Sequence, residues 1–109
     1  MKQYDLYSFW YTAKDADGEP IDFTNATSVT MSMYNDATSV KTVDCGVCEI
    51  VDPIGGVIQY KWKTGETDAI GMYRIEFRII FWDESMLTLP TNDVIWLFIV
   101  PSVHGKVTP

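Results

Sequence analysis

The chain has 109 residues, 47% of them hydrophobic and 14% aromatic, and its fifteen acidic and eight basic side chains give a formal charge of -7. This length suits a single domain, and so much large apolar side chain excludes a disordered one. The acidic balance repels phosphate backbones, no apolar run is long enough to span a membrane, and the first residues lack the pattern of a secretion signal. Neither nucleic acid nor membrane is therefore expected as a partner, and synthesis in the cytosol is.

In chain order, Leu6–Ala13 (LYSFWYTA) is a first strand, with Tyr7, Phe9 and Tyr11 on one face and Leu6 and Trp10 on the other. Asp15–Pro20 is a cluster of turn formers. Ser28–Tyr34 alternates, Val29, Met31 and Met33 facing the core and Ser28, Thr30 and Ser32 facing water. Lys41–Val51 is a weaker strand interrupted by Gly46, and Asp52–Gly56 turns the chain into Val57–Lys63, where Ile58, Tyr60 and Trp62 share a face. A single helical turn is expected around Gly65–Ile70. Met72–Trp82 carries the clearest alternation, with Tyr73, Ile75, Phe77, Ile79 and Phe81 inward and Arg74, Glu76 and Arg78 outward. After a turn at Asp83–Ser85 come Met86–Leu89, a turn at Pro90–Asp93, and a last strand, Val94–Val100. Residues 1–101 then make the domain and 102–109 a flexible tail. About seven short strands at regular spacing predict an all-β antiparallel sandwich or small barrel.

Three phrases in order, Lys14–Thr27 (KDADGEPIDFTNAT), Gly56–Trp62 (GVIQYKW) and Gly65–Phe77 (GETDAIGMYRIEF), resemble the immunoglobulin-like N-terminal domain of phage baseplate upper proteins, a module also found in other phage tail and structural proteins. The resemblance covers nearly the whole chain, and departs from the family at Trp82–Ser85, where an Asp-Gly turn is usual. It implies an immunoglobulin-like β-sandwich and a place in the virion among other structural proteins, in a multimeric assembly. The residues add a tyrosine corner: Tyr73, at the start of a strand, is expected to donate its hydroxyl to backbone within Thr64–Ile70, and Ile75 to take the core position that a cysteine holds in antibody domains.

Candidate chemistry is sparse. Asp15, Asp17 and Asp22 around Gly18 match only the beginning of a calcium loop, with Ala26 where its bidentate acid belongs. Cys45 and Cys48 have the spacing of half a zinc site, but with His104 the chain has only three soft ligands, so buried or semi-buried thiols in a twisted strand are expected. Catalytic, cofactor and metal sites are all expected to be absent. The first and last strands are apolar on both faces: Ile95, Leu97 and Ile99 oppose Val94, Trp96, Phe98 and Val100. One face of a sandwich strand meets water, so the surplus predicts a protein interface drawn from Tyr7, Phe9, Trp10, Tyr11, Trp96 and Phe98, the alternative being that the tail, a long loop or the domain itself covers that row. The function expected is that of a non-enzymatic virion building block of the tail, baseplate or fibre region. The alternatives are a capsid decoration protein and a host-glycan-binding domain that uses aromatic rings as stacking platforms.

Overall fold

The computed structural model describes residues 1–91 and 93–103. Asn92, in the turn expected at Pro90–Asp93, and residues 104–109 of the expected tail, His104 among them, lie outside the described residues. Eight strands follow in order: β1 (Phe9–Thr12), β2 (Ala26–Asn35), β3 (Lys41–Val47), β4 (Glu49–Asp52), β5 (Val57–Tyr60), β6 (Gly71–Phe81), β7 (Met86–Leu89) and β8 (Ile95–Ile99). They form two antiparallel sheets, one ordered β1-β5-β4 and the other β3-β2-β6, with β7 and β8 both on the free side of β6.

This is an immunoglobulin-like sandwich. In immunoglobulin letters β1, β5 and β4 are B, E and D, while β3, β2 and β6 are C′, C and F, and β7 with β8 makes G. The first residues supply a remnant of strand A: Lys2 bridges Val100 in parallel, Gln3 N–H donates to Val100 O at 2.8 Å and Val100 N–H to Met1 O at 2.9 Å. Strand A therefore sits only against G. Nothing among the described residues pairs with the outer edge of Phe9–Thr12.

The alternating strands bury the faces their sequences indicate. Val29, Met31 and Met33 of β2 and Tyr73, Ile75, Phe77 and Ile79 of β6 are all buried, as are Ile58, Tyr60 and Trp62. β2 and β6 run antiparallel over nine paired positions and form the spine of the larger sheet. Phe77 joins the layers, its ring stacked on Tyr11 at 5.0 Å and on Phe9 at 6.3 Å between centroids. The tyrosine corner is present: Tyr73 Oη donates to Ala69 O at 2.7 Å, and Ile75 fills the core beside it. The loop before it is a series of turns with no helix, so the helical turn expected at Gly65–Ile70 is corrected.

Lys41–Val51 is two strands, not one, and they lie in different sheets. In β3 the register slips twice against β2, between Met31 and Met33 and between Met33 and Tyr34, with Cys45 at φ 54° in the first slip. Such bulges add twist, and here they carry the chain past Cys48 into β4 on the opposite layer. Gly46 permits the crossing, because a Cβ there would lie 2.8 Å from the hydroxyl of Tyr60 and closer still to its ring.

Pro90–Asp93 does not reverse the chain. Met86–Leu89 pairs with Ile80–Phe77, and Ile95–Ile99 then pairs with Ile75–Gly71 in the same direction along the same neighbour. β7 and β8 are thus one edge strand interrupted at Pro90, which has no N–H to give to a ladder.

Candidate functional site

The outer face of the five-stranded sheet is built on the outward residues of β6. Arg74 lies opposite Tyr34 on β2 and Trp96 on β8. Its Nε is 2.9 Å from Asp36 Oδ1, its guanidinium stands 5.1 Å from the centre of the Trp96 ring, and it donates to Tyr34 Oη at 3.4 Å. A planar cation suits all three contacts at once, and together they fix the Trp96 ring on the surface. Next to this group Met72 lies opposite Phe98. Trp96 remains 40% and Phe98 54% exposed, and Ile70, Met72 and Val100 add further exposed apolar surface nearby in the chain. Toward the other end of β6 the face turns polar, with Glu76 opposite Ser32 and Arg78 opposite Thr30 and Thr88.

The first strand contributes to the opposite side of the molecule. Trp10 lies opposite Gln59 and points away from the core, 55% exposed, and Tyr7, just before β1, is 62% exposed. Phe9 and Tyr11 have to be taken out of the expected surface set. Both are half-buried members of the core packing, stacked on Phe77, with Phe9 also edge-on to Trp62 at 6.1 Å. Alternation requires this, because Phe9 and Tyr11 share the inward face of a strand whose other face carries Trp10. The sequence joins these residues in one list, but the fold divides the exposed ones between two outer faces: Trp96 and Phe98 on the larger sheet, Trp10 on the smaller.

Arg74, Met72, Tyr34 and Asp36 belong to the Trp96 surface and are not identifiable as such from sequence. The outward position of Arg74 is legible from alternation, but its neighbours are set by register to β2 and β8. Trp82 is another exposed ring, 70% accessible beside the Asp83–Ser85 turn.

The remaining candidates have local duties. Asp15 Oδ1 accepts from the N–H groups of Asp17 and Glu19, at 2.9 and 3.0 Å, inside a tight hairpin with Gly18 at φ 82°. Asp22 accepts from the N–H and hydroxyl of Thr24, which hold its carboxyl below the usual range. Cys45 is exposed, correcting the expectation of burial, because its left-handed conformation in the bulge turns it outward; its N–H donates to Ser32 Oγ at 3.1 Å. Cys48 is half-buried at the sheet crossing, and burial pushes its thiol up to about 12. Both cysteines are free, and among the described residues no three His, Cys, Asp or Glu side chains converge on a metal position.

Tyr60 Oη donates to the Glu66 carboxylate at 2.8 Å, and burial, with that hydrogen bond second, raises its phenol above the ordinary value. This ties the end of β5 to the loop leading into the tyrosine corner, a structural use. A concavity of about 190 Å³ lies among Thr30, Ser32, Lys41, Glu76 and Arg78, less than the roughly 300 Å³ at which small-molecule pockets begin. Compared with known protein families, curated proteins and solved structures, the chain matches none.

Proposed function

We propose that the chain is a non-catalytic structural protein of a bacteriophage particle, an adaptor or attachment module of the tail, baseplate or fibre region. The observation that carries this reading is the pinned aromatic surface of the larger sheet. Trp96 is held by Arg74, Phe98 and Met72 continue the patch, and the three lie on two regular, neighbouring strands. Rigid aromatic surface beside an anchored Arg is the composition of protein-protein contacts more than of free surfaces. The three phrases that resemble the baseplate domain support the virion setting. They fall on the β1–β2 connection, on β5, and on the tyrosine corner with β6. On the outer face of the larger sheet the concavity is below ligand size, which favours assembly over sugar binding at that face.

Purified particles from the source phage provide the test. The chain should be present at a fixed stoichiometry by mass spectrometry, with Trp96 and Phe98 shielded from hydroxyl-radical labelling in the particle and reactive in the free protein. Absence from the particle ends the reading. Presence with both rings equally reactive in the two states moves the interface elsewhere.

A further inference from the structure

The two outer faces differ in what surrounds their exposed ring. On the larger sheet Trp96 is continued by Phe98 and Met72. On the smaller sheet Trp10 stands among hydrogen-bonding groups. Gln59 lies directly opposite it on β5 and Glu49 opposite Gln59 on β4, so one row across the sheet reads ring, amide, carboxylate. The burial of Ile58, Tyr60 and Trp62 turns Gln59 and Lys61 to this outer face, and Lys61 Nζ is 3.9 Å from Glu49 Oε2. Alternation along the first strand adds Ser8 and Thr12 on either side of Trp10, with Val57 opposite Thr12. Among the described residues the amide of Gln59 has no hydrogen-bond partner. Beside this row opens a groove of about 640 Å³, lined by Tyr7, Ser8, Trp10 and Gln59 with Phe9 and Leu97. Its volume falls within the roughly 300–1,000 Å³ of small-molecule sites, unlike that of the concavity on the larger sheet.

We infer that the outer face of the smaller sheet binds a neutral oligosaccharide, Trp10 stacking on the C–H face of one sugar ring while Gln59 and Glu49 hydrogen-bond to hydroxyl groups along the row. An apolar partner is disfavoured there, because covering Trp10 would also bury the amide and the carboxylate without partners. A sugar meets both demands. Its C–H face packs on the indole, the amide offers its hydroxyls a donor and an acceptor, and the carboxylate accepts from them. A nucleobase would stack as well, but its phosphates meet a chain of formal charge -7. The same charge selects a neutral sugar over an acidic one. Trp10 and Glu49 are two strand spacings apart, about 10 Å, which leaves room for two sugar rings in succession. Tyr7, the other exposed ring of the groove, extends the platform toward the start of the chain. The site looks away from the Trp96 surface, so a chain attached through its larger sheet presents it outward.

Titration of the isotope-labelled full chain with cellotriose, chitotriose and maltotriose, followed through the indole N–H resonances, is the test. At least one of these sugars should shift the Trp10 signal and leave that of Trp96 in place, with a dissociation constant on the order of 1 mM, as suits an open groove. Trp10→Ala should weaken binding by about tenfold or more, whereas Trp10→Phe, which keeps a ring, should retain most of it. Gln59→Ala should weaken binding severalfold, and Phe98→Ser should leave it intact. None of the substitutions on the smaller sheet should move the thermal midpoint, since both side chains lie outside the core. Trigalacturonate, of the same length but acidic, should bind more weakly than the best neutral sugar.

Three results overturn the proposal: no shift of the Trp10 signal with any neutral sugar at about 10 mM, binding that survives Trp10→Ala, or trigalacturonate bound as tightly as the neutral sugars. Shielding of Trp10 by a protein neighbour in the particle overturns it as well, by making this face a protein contact. The sugar titrations use the free chain and do not rest on the virion reading, which is decided by the composition of the particle and the labelling of Trp96 and Phe98.

Discussion

Tyr73 is the residue on which the corner between the sheets turns. Tyr73→Phe keeps the buried ring and removes only the 2.7 Å hydrogen bond to Ala69 O, so urea unfolding should show a loss of about 0.5–1.5 kcal/mol. Phe77→Ala removes the ring that both Phe9 and Tyr11 stack on, and should cost about 3–5 kcal/mol. A loss below 1 kcal/mol in that variant would mean that the layers do not meet there. Cys48 gives a dependence on pH. Its folded thiol titrates near 12 against 9.0 unperturbed, so the folded state keeps a proton that the unfolded chain releases first. The corresponding stability is present below pH 9 and is lost as pH rises toward 12. Tyr60, raised in the same direction from 10.0, adds a second loss at higher pH. Cys48→Ala should flatten the decline that begins near pH 9 and leave the later one, as read from midpoints across an alkaline series.

Among the elements, β3 and β4 show how one glycine decides a crossover. Gly46→Ala brings a methyl group against the Tyr60 ring, which is held in place by the core and by Glu66. Overpacking of this kind costs about 1–3 kcal/mol, and an unchanged midpoint would place the ring elsewhere. The strong periods of β2 and β6 are legible in sequence because each strand has one dry and one wet face, so its pattern reports its own environment. The division of Lys41–Val51 is not legible, since the residues on either side of Cys48 look alike and only their partners differ. The same holds for Pro90–Asp93. A turn-rich cluster signals that pairing stops, but not whether the chain then reverses or resumes beside the same neighbour.

For the whole molecule, the apolar surplus of the first and last strands was visible from composition and alternation. Half of the surplus in β1 proves to be core: Phe9 and Tyr11 face inward, and Trp10 is left outside with Tyr7 before it. What no local pattern contains is that β1 and β8 belong to different sheets, so that their outward rings look in opposite directions. The two surfaces should therefore behave independently. Trp96→Ser with Phe98→Ser should reduce incorporation into particles, and Trp10→Lys, on the other outer face, should leave it unchanged, as read from the composition of purified particles. Equal losses in the two variants would show that the two surfaces act as one.

By itself the sequence determined the all-β class, the inward face of each strongly alternating strand and the tyrosine corner. Each of these follows from interactions within a few residues, or from the two-residue period that burial imposes on one strand. Only the tertiary structure decided which strands share a sheet, that strand A is reduced to a bridge at Val100, just past β8, and that β1 is left with an open edge. Those outcomes depend on hydrogen bonds between segments far apart in the chain, and a backbone amide carries no record in its own side chain of the strand it will meet.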